Sequence, residues 1–196
     1  MRFKKLTLRS KDPQRQKDFY QNRLSLPVLA DSGDKVCFQI GHTVLEFERH
    51  PDAVPVHFAI NIPCNQVSEA LNWLSGKIPV LPHESRLIQP FPNWNAEALY
   101  FYDADQNIVE WIGRKNLKNE KAAPFHPATS FLEISEIGLA TTDIPAIFAQ
   151  LNESLGIEKY DGNFHRFCAA GTETGLFILA NYLVKKWFPT DDIILL

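Results

Sequence analysis

One order of elements, a strand, a helix and then further strands, recurs along this chain and limits the folds open to it. The first unit begins with Lys5 to Leu8, where polar and apolar residues alternate as in a half-buried strand. Asp12 and Pro13 follow, and an aspartate cap before a proline at the first helical position is a typical helix start. Short strands at 36–40 and 43–48 complete this unit.

The same order returns twice. The second unit contains a helix whose apolar residues, Val67, Ala70 and Leu74 among them, share one face. The helix of the third unit begins at Thr142 and Asp143 and ends at Gly156, a residue suited to the left-handed position that closes many helices. The predicted strands are 56–62, 99–102 and 108–112 in the second unit, and 134–140, 157–160, 166–170 and 176–180 in the third.

These repeats predict an α+β fold. A single βαβββ unit has its helix on one sheet face, so two units side by side form a curved mixed sheet with a concave cup inside and helices outside. We expect residues 1–114 to form such a paired module from units 1–50 and 55–114. Residues 115–130 are polar and interrupted by prolines, which predicts a linker. Residues 131–196 form a third unit with a short C-terminal tail, whose final apolar residues, 193–196, suggest a lone strand or the start of a fourth unit.

Composition excludes several classes of partner. The 196 residues include 45% hydrophobic and 22% charged residues, as in an ordinary globular protein, and the formal net charge is −3. The chain has no basic cluster for nucleic acid and no apolar run of roughly 20 residues for a membrane. The first residues lack the pattern of a secretion signal, so we expect a cytoplasmic protein. The three cysteines are far apart, which favours packing over disulfides or a zinc knuckle.

Alternate residues of a strand point to opposite faces, so the apolar pattern identifies the side chains that face the cup. In strand 56–62 the large apolar residues share one parity, which turns His57 and Asn61 towards the cup. The same rule applies to Glu110, between Val109 and Trp111. Glu46, between Leu45 and Phe47, repeats this arrangement in the first unit.

The first strand of each unit places one polar side chain at an equivalent position: Lys5, His57 and Glu136. The third unit has Ile178 where the earlier units carry a glutamate, so it lacks a matching carboxylate.

The first two units therefore direct Lys5, Glu46, His57 and Glu110 into one cavity. We predict that His57, Glu110 and Glu46 bind a divalent Fe, Mn, Ni, Co or Zn ion. A protonated lysine does not ligate, so Lys5 would neutralise a carboxylate or bind an anionic group of the substrate. Glu110 and Lys5 are thus the candidate catalytic residues.

Other features admit two interpretations. Trp94 and Tyr102 lie in an aromatic segment beside the predicted site, where they would line a pocket or pack in the core. Asn61 and Thr7 face the cup and are candidate substrate-binding residues. Glu110 has a structural alternative, a salt bridge with Lys5 inside a closed cavity.

Three sequence stretches carry a resemblance to a known family. FYDADQNIVEWIGR at 101–114 is the most specific, followed by KLTLRSKDPQRQKDFYQNRLSLPV at 5–28 and VHFAINIP at 56–63. Together with the repeated unit, they resemble the vicinal oxygen chelate superfamily, which includes glyoxalases, extradiol dioxygenases, and fosfomycin- and bleomycin-resistance proteins. The resemblance implies metal ligands at His57 and Glu110, and at Glu46 as in the glyoxalase-like branch. Lys5 departs from the His, Gln or Glu expected at its position.

The resemblance implies a metal-dependent enzyme acting on a small substrate with two adjacent oxygens, as a lyase, an isomerase or a ring-cleaving dioxygenase. The alternative is a metal-free protein of the same fold that sequesters a small aromatic or anionic ligand, with Lys5 supplying the charge of the metal. We also expect the odd third unit to pair either with its counterpart in a second copy, giving a homodimer, or with the C-terminal tail.

Overall fold

The computed structural model describes residues 1–192, and the predicted final strand at 193–196 lies outside this range. The helices are α1 (Pro13–Asp18), α2 (Val67–Leu74), α3 (Pro127–Ser130) and α4 (Ile144–Leu155). The strands of these residues are β1 (Lys5–Ser10), β2 (Val28–Asp31), β3 (Lys35–Ile40), β4 (Thr43–Arg49), β5 (His57–Ile62), β6 (Gln89–Phe91), β7 (Ala96–Tyr102), β8 (Ile108–Arg114), β9 (Glu133–Thr141), β10 (Lys159–Asn163), β11 (Phe167–Thr172) and β12 (Gly175–Asn181).

The first βαβββ unit forms a sheet of its own. Its strand order is β1-β4-β3-β2, with β1 and β4 parallel. The Asp12 side chain accepts hydrogen bonds from the first backbone N–H groups of α1, as the sequence predicts. The helix continues through a π-helical turn, and Phe19, Tyr20 and Leu24 pack beneath the sheet.

The second and third units pair with each other in one curved mixed sheet of eight strands. Its order is β10-β11-β12-β9-β5-β8-β7-β6, and the antiparallel pair β5–β9 joins the two units. The α+β class, the repeated unit and the curved sheet are confirmed. No helix within residues 1–192 has the length and apolar character needed to cross a membrane.

The predicted pairing of the first unit with the second was wrong. The reason lies in the first strands: every residue of β5 is buried, and so are the first five residues of β9. In β1, by contrast, Lys5, Thr7 and Arg9 are exposed. A strand with both faces covered suits the centre of a sheet, whereas exposed charges along a strand suit an edge.

The strand parity predicted for the second unit is confirmed. Phe58, Ile60 and Trp111 lie in the main core together with the buried face of α2. Ala59 lies on the opposite side of the sheet, in a second core cluster that borders the cup. The alternation therefore positions His57 and Glu110 on the concave side.

Two connecting segments are held against this sheet. In the segment predicted as a linker, the Phe125 ring packs against Trp111, with ring centroids 5.4 Å apart, and its backbone N–H donates to the Glu69 carboxylate. After β12, residues 182–192 turn back across the cup. The indole ring of Trp187 in this second segment lies 5.3 Å from the His57 ring.

Candidate metal centre

Three titratable side chains meet on the floor of the cup. His57 Nε2 lies 3.4 Å from a carboxylate oxygen of Glu110 and 3.9 Å from one of Glu136, and the three side chains are buried. One ligand atom from each residue falls within 4.8 Å of the other two. They come from β5, β8 and β9, three adjacent strands.

The sheet register produces this cluster. On β5, Ala59 is paired with Glu110 of β8 on one side and with Glu136 of β9 on the other. Residues in register point to the same face of a sheet, so both carboxylates turn into the cup. The methyl group of Ala59 leaves space between them.

A backbone contact fixes the orientation of the imidazole. Nδ1 of His57 lies 3.1 Å from the carbonyl oxygen of Ile108, and a proton on Nδ1 makes that contact a hydrogen bond. Nε2 then faces the two carboxylates. Histidine ligands in metalloproteins are commonly oriented in this way, with the second ring nitrogen bonded to a carbonyl.

Burial and charge act in opposite directions on these groups. Burial alone would lower the pKa of His57, but the carboxylates of Glu110 and Glu136 outweigh it and raise this pKa to about 9. Burial, together with the charge of Glu136, raises the pKa of Glu110. The pKa of Glu136 is lowered, because His57 and Arg114 together outweigh the opposing effect of its burial.

Arg114 supports the cluster from behind. Its side chain is fully buried, and its guanidinium donates a hydrogen bond to Glu136 and another, of 3.2 Å, to the side-chain oxygen of Asn61. Asn61 in turn donates to Glu133, at 2.8 Å. At neutral pH a protonated His57 faces Glu110 while Arg114 faces Glu136, so two pairs of opposite charge balance each other.

The donor set fits a divalent transition metal. Bonds of about 2.1 Å to a tetrahedral ion place neighbouring ligand atoms roughly 3.4 Å apart, close to the separations of His57 Nε2 from the two carboxylates. One imidazole and two carboxylates suit Fe, Mn, Co, Ni or Zn. Because all three residues also line a cavity, open positions on the ion would face a substrate.

The cavity above the cluster has a volume of about 1350 Å³. Its walls include several aromatic rings: Phe91, Trp94, Tyr100, Phe167, Trp187 and Phe188. These rings suit a planar ligand, and the charged and polar side chains that also line the cavity would determine its orientation.

The segment after β12 forms one wall of this cavity. Trp187 packs so closely over Gly138 of β9 that a Cβ at that glycine would lie 2.4 Å from the indole ring. The next ring, Phe188, lies 5.4 Å from Tyr100. Gly138 is therefore required by close packing, and it lets Trp187 approach the His57 imidazole.

The structure does not bring Glu46, Lys5 or Thr7 to this cluster. Lys5 Nζ lies 2.8 Å from the Glu46 carboxylate, and the Thr7 hydroxyl donates to it at 3.2 Å, all within the separate sheet of the first unit. Lys5 lowers the pKa of Glu46. These residues were predicted at the site because the first unit was expected to pair with the second. The Lys5–Glu110 salt bridge considered in the sequence does not form, and Glu110 faces His57 instead.

The candidate substrate-binding residues fall in different places. Trp94 lines the cavity, and its indole N–H donates to Asp161. Tyr102 is absent from the lining and donates its hydroxyl proton to Asp192, while Tyr100 faces the cavity. Asn61 lies behind the cluster as a partner of Arg114.

Sequence reasoning missed Glu136, Arg114 and Trp187 as parts of the site. Glu136 had a signal, since it occupies the same first-strand position as His57, and it was set aside because Ile178 breaks the pattern. Arg114 shares its parity with Glu110, so it could have been placed on the cup side. Nothing in the sequence near Trp187 indicates that its segment folds back across the sheet.

Comparison with known proteins gives matches among solved structures. No protein-family profile and no curated protein matches the sequence. A candidate dioxygenase from Bacillus subtilis superposes with a TM-score of 0.67 at 15% identity, covering 92% of this chain and 63% of that protein. A single-site mutant of glyoxalase I from Zea mays gives a TM-score of 0.60 at 16% identity, covering 92% and 67%. The chain thus spans less than two thirds of the Bacillus protein.

These matches show the fold. The chain has the fold of the vicinal oxygen chelate superfamily, to which glyoxalase I belongs, and the resemblance seen in the sequence is confirmed at that level. The α+β class and the curved mixed sheet described above are features of this fold.

Proposed function

We propose that this protein is an enzyme that holds a divalent metal ion with His57, Glu110 and Glu136 and acts on a small substrate bearing two adjacent oxygens. The observation that carries the proposal is the buried cluster of one imidazole and two carboxylates at the floor of an aromatic-walled cavity. When bound, such an ion supplies Lewis-acid stabilisation of charge that develops on the substrate oxygens.

The residues around the ligands have defined tasks. The Ile108 carbonyl keeps one His57 proton on Nδ1, so the proton that leaves when an ion binds is the one on Nε2, the ligating nitrogen. Arg114 keeps Glu136 ionised. Glu110, whose pKa is raised by burial and by Glu136, is the carboxylate best suited to accept a proton from the substrate. The aromatic walls hold a planar group and displace water from it.

The neighbours named as a dioxygenase and as glyoxalase I support metal chemistry on this fold, but at 15% and 16% identity they do not select a reaction. The proposal therefore covers a lyase, an isomerase and a ring-cleaving dioxygenase. All three use an ion that binds two adjacent oxygens.

Metal analysis tests the proposal directly. The protein is purified without chelator or histidine tag, its metal content is measured, and Mn, Fe, Co, Ni and Zn are then titrated by calorimetry. We expect about one equivalent for the parent and at least a ten-fold loss of affinity in Glu110→Gln and in Glu136→Gln, since each removes a charged oxygen ligand.

Glu46→Gln is the matched control, because Glu46 is also a buried glutamate but lies in the other sheet. It should bind metal as the parent does. The proposal is overturned if the parent takes up less than about a tenth of an equivalent of every ion, or if Glu136→Gln binds as tightly as Glu46→Gln.

One observation favours a second function, a metal-free binding protein of the same fold. The pairs His57–Glu110 and Arg114–Glu136 balance their charges without any ion. In that case the cavity would bind aromatic ligands with the same affinity in excess chelator as in excess Mn. A higher affinity for aromatic ligands in excess Mn than in excess chelator would instead support the proposed metal-dependent enzyme.

The sequence predicted that the third unit pairs with its counterpart in a second copy or with the C-terminal tail, and this was wrong, because the third unit pairs with the second. A homodimer formed in another way and the cytoplasmic location stay predictions. The edge of β1 that faces away from β4 is the place where a second copy would add a strand, since β5 and β9 show how two first strands join. Light scattering that reports a strict monomer would exclude the homodimer.

A further inference from the structure

The wall of the cavity formed by the turn after β10 and the segment after β12 carries a pair of cations. Lys185 and Arg166 both line the cavity, and neither forms a salt bridge with a carboxylate of residues 1–192. Two like charges in one half-enclosed wall repel each other, so an anion between them is favourable.

The acidic side chains of the same wall are already engaged. Asp161 accepts a hydrogen bond from the Trp94 indole, and Asp191 lies 3.3 Å from Lys186 Nζ. With Lys186 counted, the wall carries three cations against these two carboxylates, an excess of one positive charge, opposite the carboxylates on the floor.

The environment of Lys185 fits a subsite for an anion. Its stem is half-buried, and its ammonium lies 5.5 Å from the centroid of the Phe167 ring and 5.9 Å from that of Trp187. Burial, and to a smaller extent the charge of Arg166, lowers the pKa of Lys185 to about 8. The ammonium donates one hydrogen bond, of 3.3 Å, to the Lys186 carbonyl and has no carboxylate partner within residues 1–192. It therefore gains from a bound carboxylate, because charge-assisted hydrogen bonds strengthen as water is excluded.

Trp187 links this subsite to the floor of the cavity. Its ring lies 5.3 Å from the His57 imidazole and 5.9 Å from Lys185 Nζ, so one small aromatic molecule can reach both. The rings on the walls suit its planar part.

From this arrangement we propose that Lys185, with Arg166 beside it, binds a carboxylate of the substrate. The substrate class is then an aromatic carboxylate whose two adjacent ring oxygens point to His57, Glu110 and Glu136. The identity of the whole substrate rests on the proposed function, whereas the carboxylate subsite stands on the wall residues alone.

Calorimetric titrations of the metal-loaded protein test the carboxylate subsite separately from the proposed metal-dependent function. They use three probes: 3,4-dihydroxybenzoate, catechol and benzoate. They carry, in turn, both groups, the adjacent oxygens alone and the carboxylate alone. We expect 3,4-dihydroxybenzoate to bind at least ten-fold more tightly than catechol, as a charge-assisted hydrogen bond contributes about that factor.

Lys185→Met removes the charge and keeps an apolar stem against Phe167 and Trp187. It should reduce the affinity for 3,4-dihydroxybenzoate and for benzoate about ten-fold and leave catechol within two-fold. Lys159→Met, on an exposed lysine that does not line the cavity, is the matched control and should change none of the three. Lys185→Arg should retain most of the affinity, which shows that the wall still folds.

The subsite is overturned if Lys185→Met lowers the affinity for catechol and 3,4-dihydroxybenzoate equally, or for neither. Failure of the proposed function has a different signature. In that case all three probes bind independently of metal, while Lys185→Met still weakens the two carboxylates.

Discussion

Arg114, at the end of β8, donates a hydrogen bond to Glu136 on β9, across the intervening strand β5. Both side chains are buried, and the guanidinium is the nearest fixed positive charge to the candidate ligands. The contact connects two βαβββ units through their charges, in addition to the backbone pairing of β5 with β9.

Replacing Arg114 by methionine should therefore destabilise the metal-free protein by about 3 to 5 kcal/mol, because a buried Glu136 loses its partner. The free energy of unfolding in urea at pH 7 measures this loss. Saturating Mn should restore part of it, since an ion at His57, Glu110 and Glu136 supplies the missing positive charge.

A double variant is the control for Arg114→Met. With Glu136→Gln added, the uncompensated charge disappears, and the loss should be smaller than the sum of the two single losses. Strict additivity of the two substitutions would show that the buried pair does not couple.

The contact between Gly138 and Trp187 gives a second prediction. Gly138→Ala places a methyl group where the indole ring now lies, so Trp187 must move away from His57. We expect a loss of about 1 to 3 kcal/mol in unfolding free energy and a shift in tryptophan fluorescence.

Rescue tests this cause. Trp187→Leu removes the ring that the new methyl group meets, so Gly138→Ala should cost much less in that background than in the parent. If Gly138→Ala lowers the unfolding free energy equally in the parent and in Trp187→Leu, the strain lies elsewhere in β9 and not at Trp187.

Much of the fold was predictable because local rules determine it. The alternation around His57 and Glu110 identified their face, and the cap at Asp12 and the glycine at 156 defined helix ends. These signals depend on residues close together in sequence.

The pairing of units was not predicted, because it depends on comparing surfaces far apart in sequence. The exposed charges of β1 and the burial of β9 determine which units pair. The sequence prediction paired the first unit with the second because they are consecutive along the chain. That error replaced Glu136 by Glu46 in the predicted ligand set. The position of Trp187 was also beyond local rules, since its segment folds back over a distant strand.

The Lys5–Glu46 pair provides the third prediction. The Lys5 side chain is half-exposed, so Lys5→Met should change the free energy of unfolding by less than about 1 kcal/mol. Metal affinity and probe binding should stay at the parent values, because the pair lies in the other sheet. A ten-fold change in metal affinity on Lys5→Met would return Lys5 to the site.

Asp103 makes the last prediction, on pH. Its buried carboxylate accepts hydrogen bonds from Gln16, Tyr20 and Asn107, and these bonds connect the β7–β8 turn to the first unit.

Burial outweighs these hydrogen bonds and raises the pKa of Asp103 to about 6. The folded protein therefore holds this proton more tightly than the unfolded chain, whose aspartates titrate near 4. The stability contributed by that proton is complete below pH 4 and disappears as pH rises through 6, a change on the order of 2 to 3 kcal/mol. Urea unfolding of the parent and of Asp103→Asn between pH 4 and 7 measures it as the difference between the two curves. A constant difference across this range would mean that the Asp103 carboxylate is already ionised at pH 4.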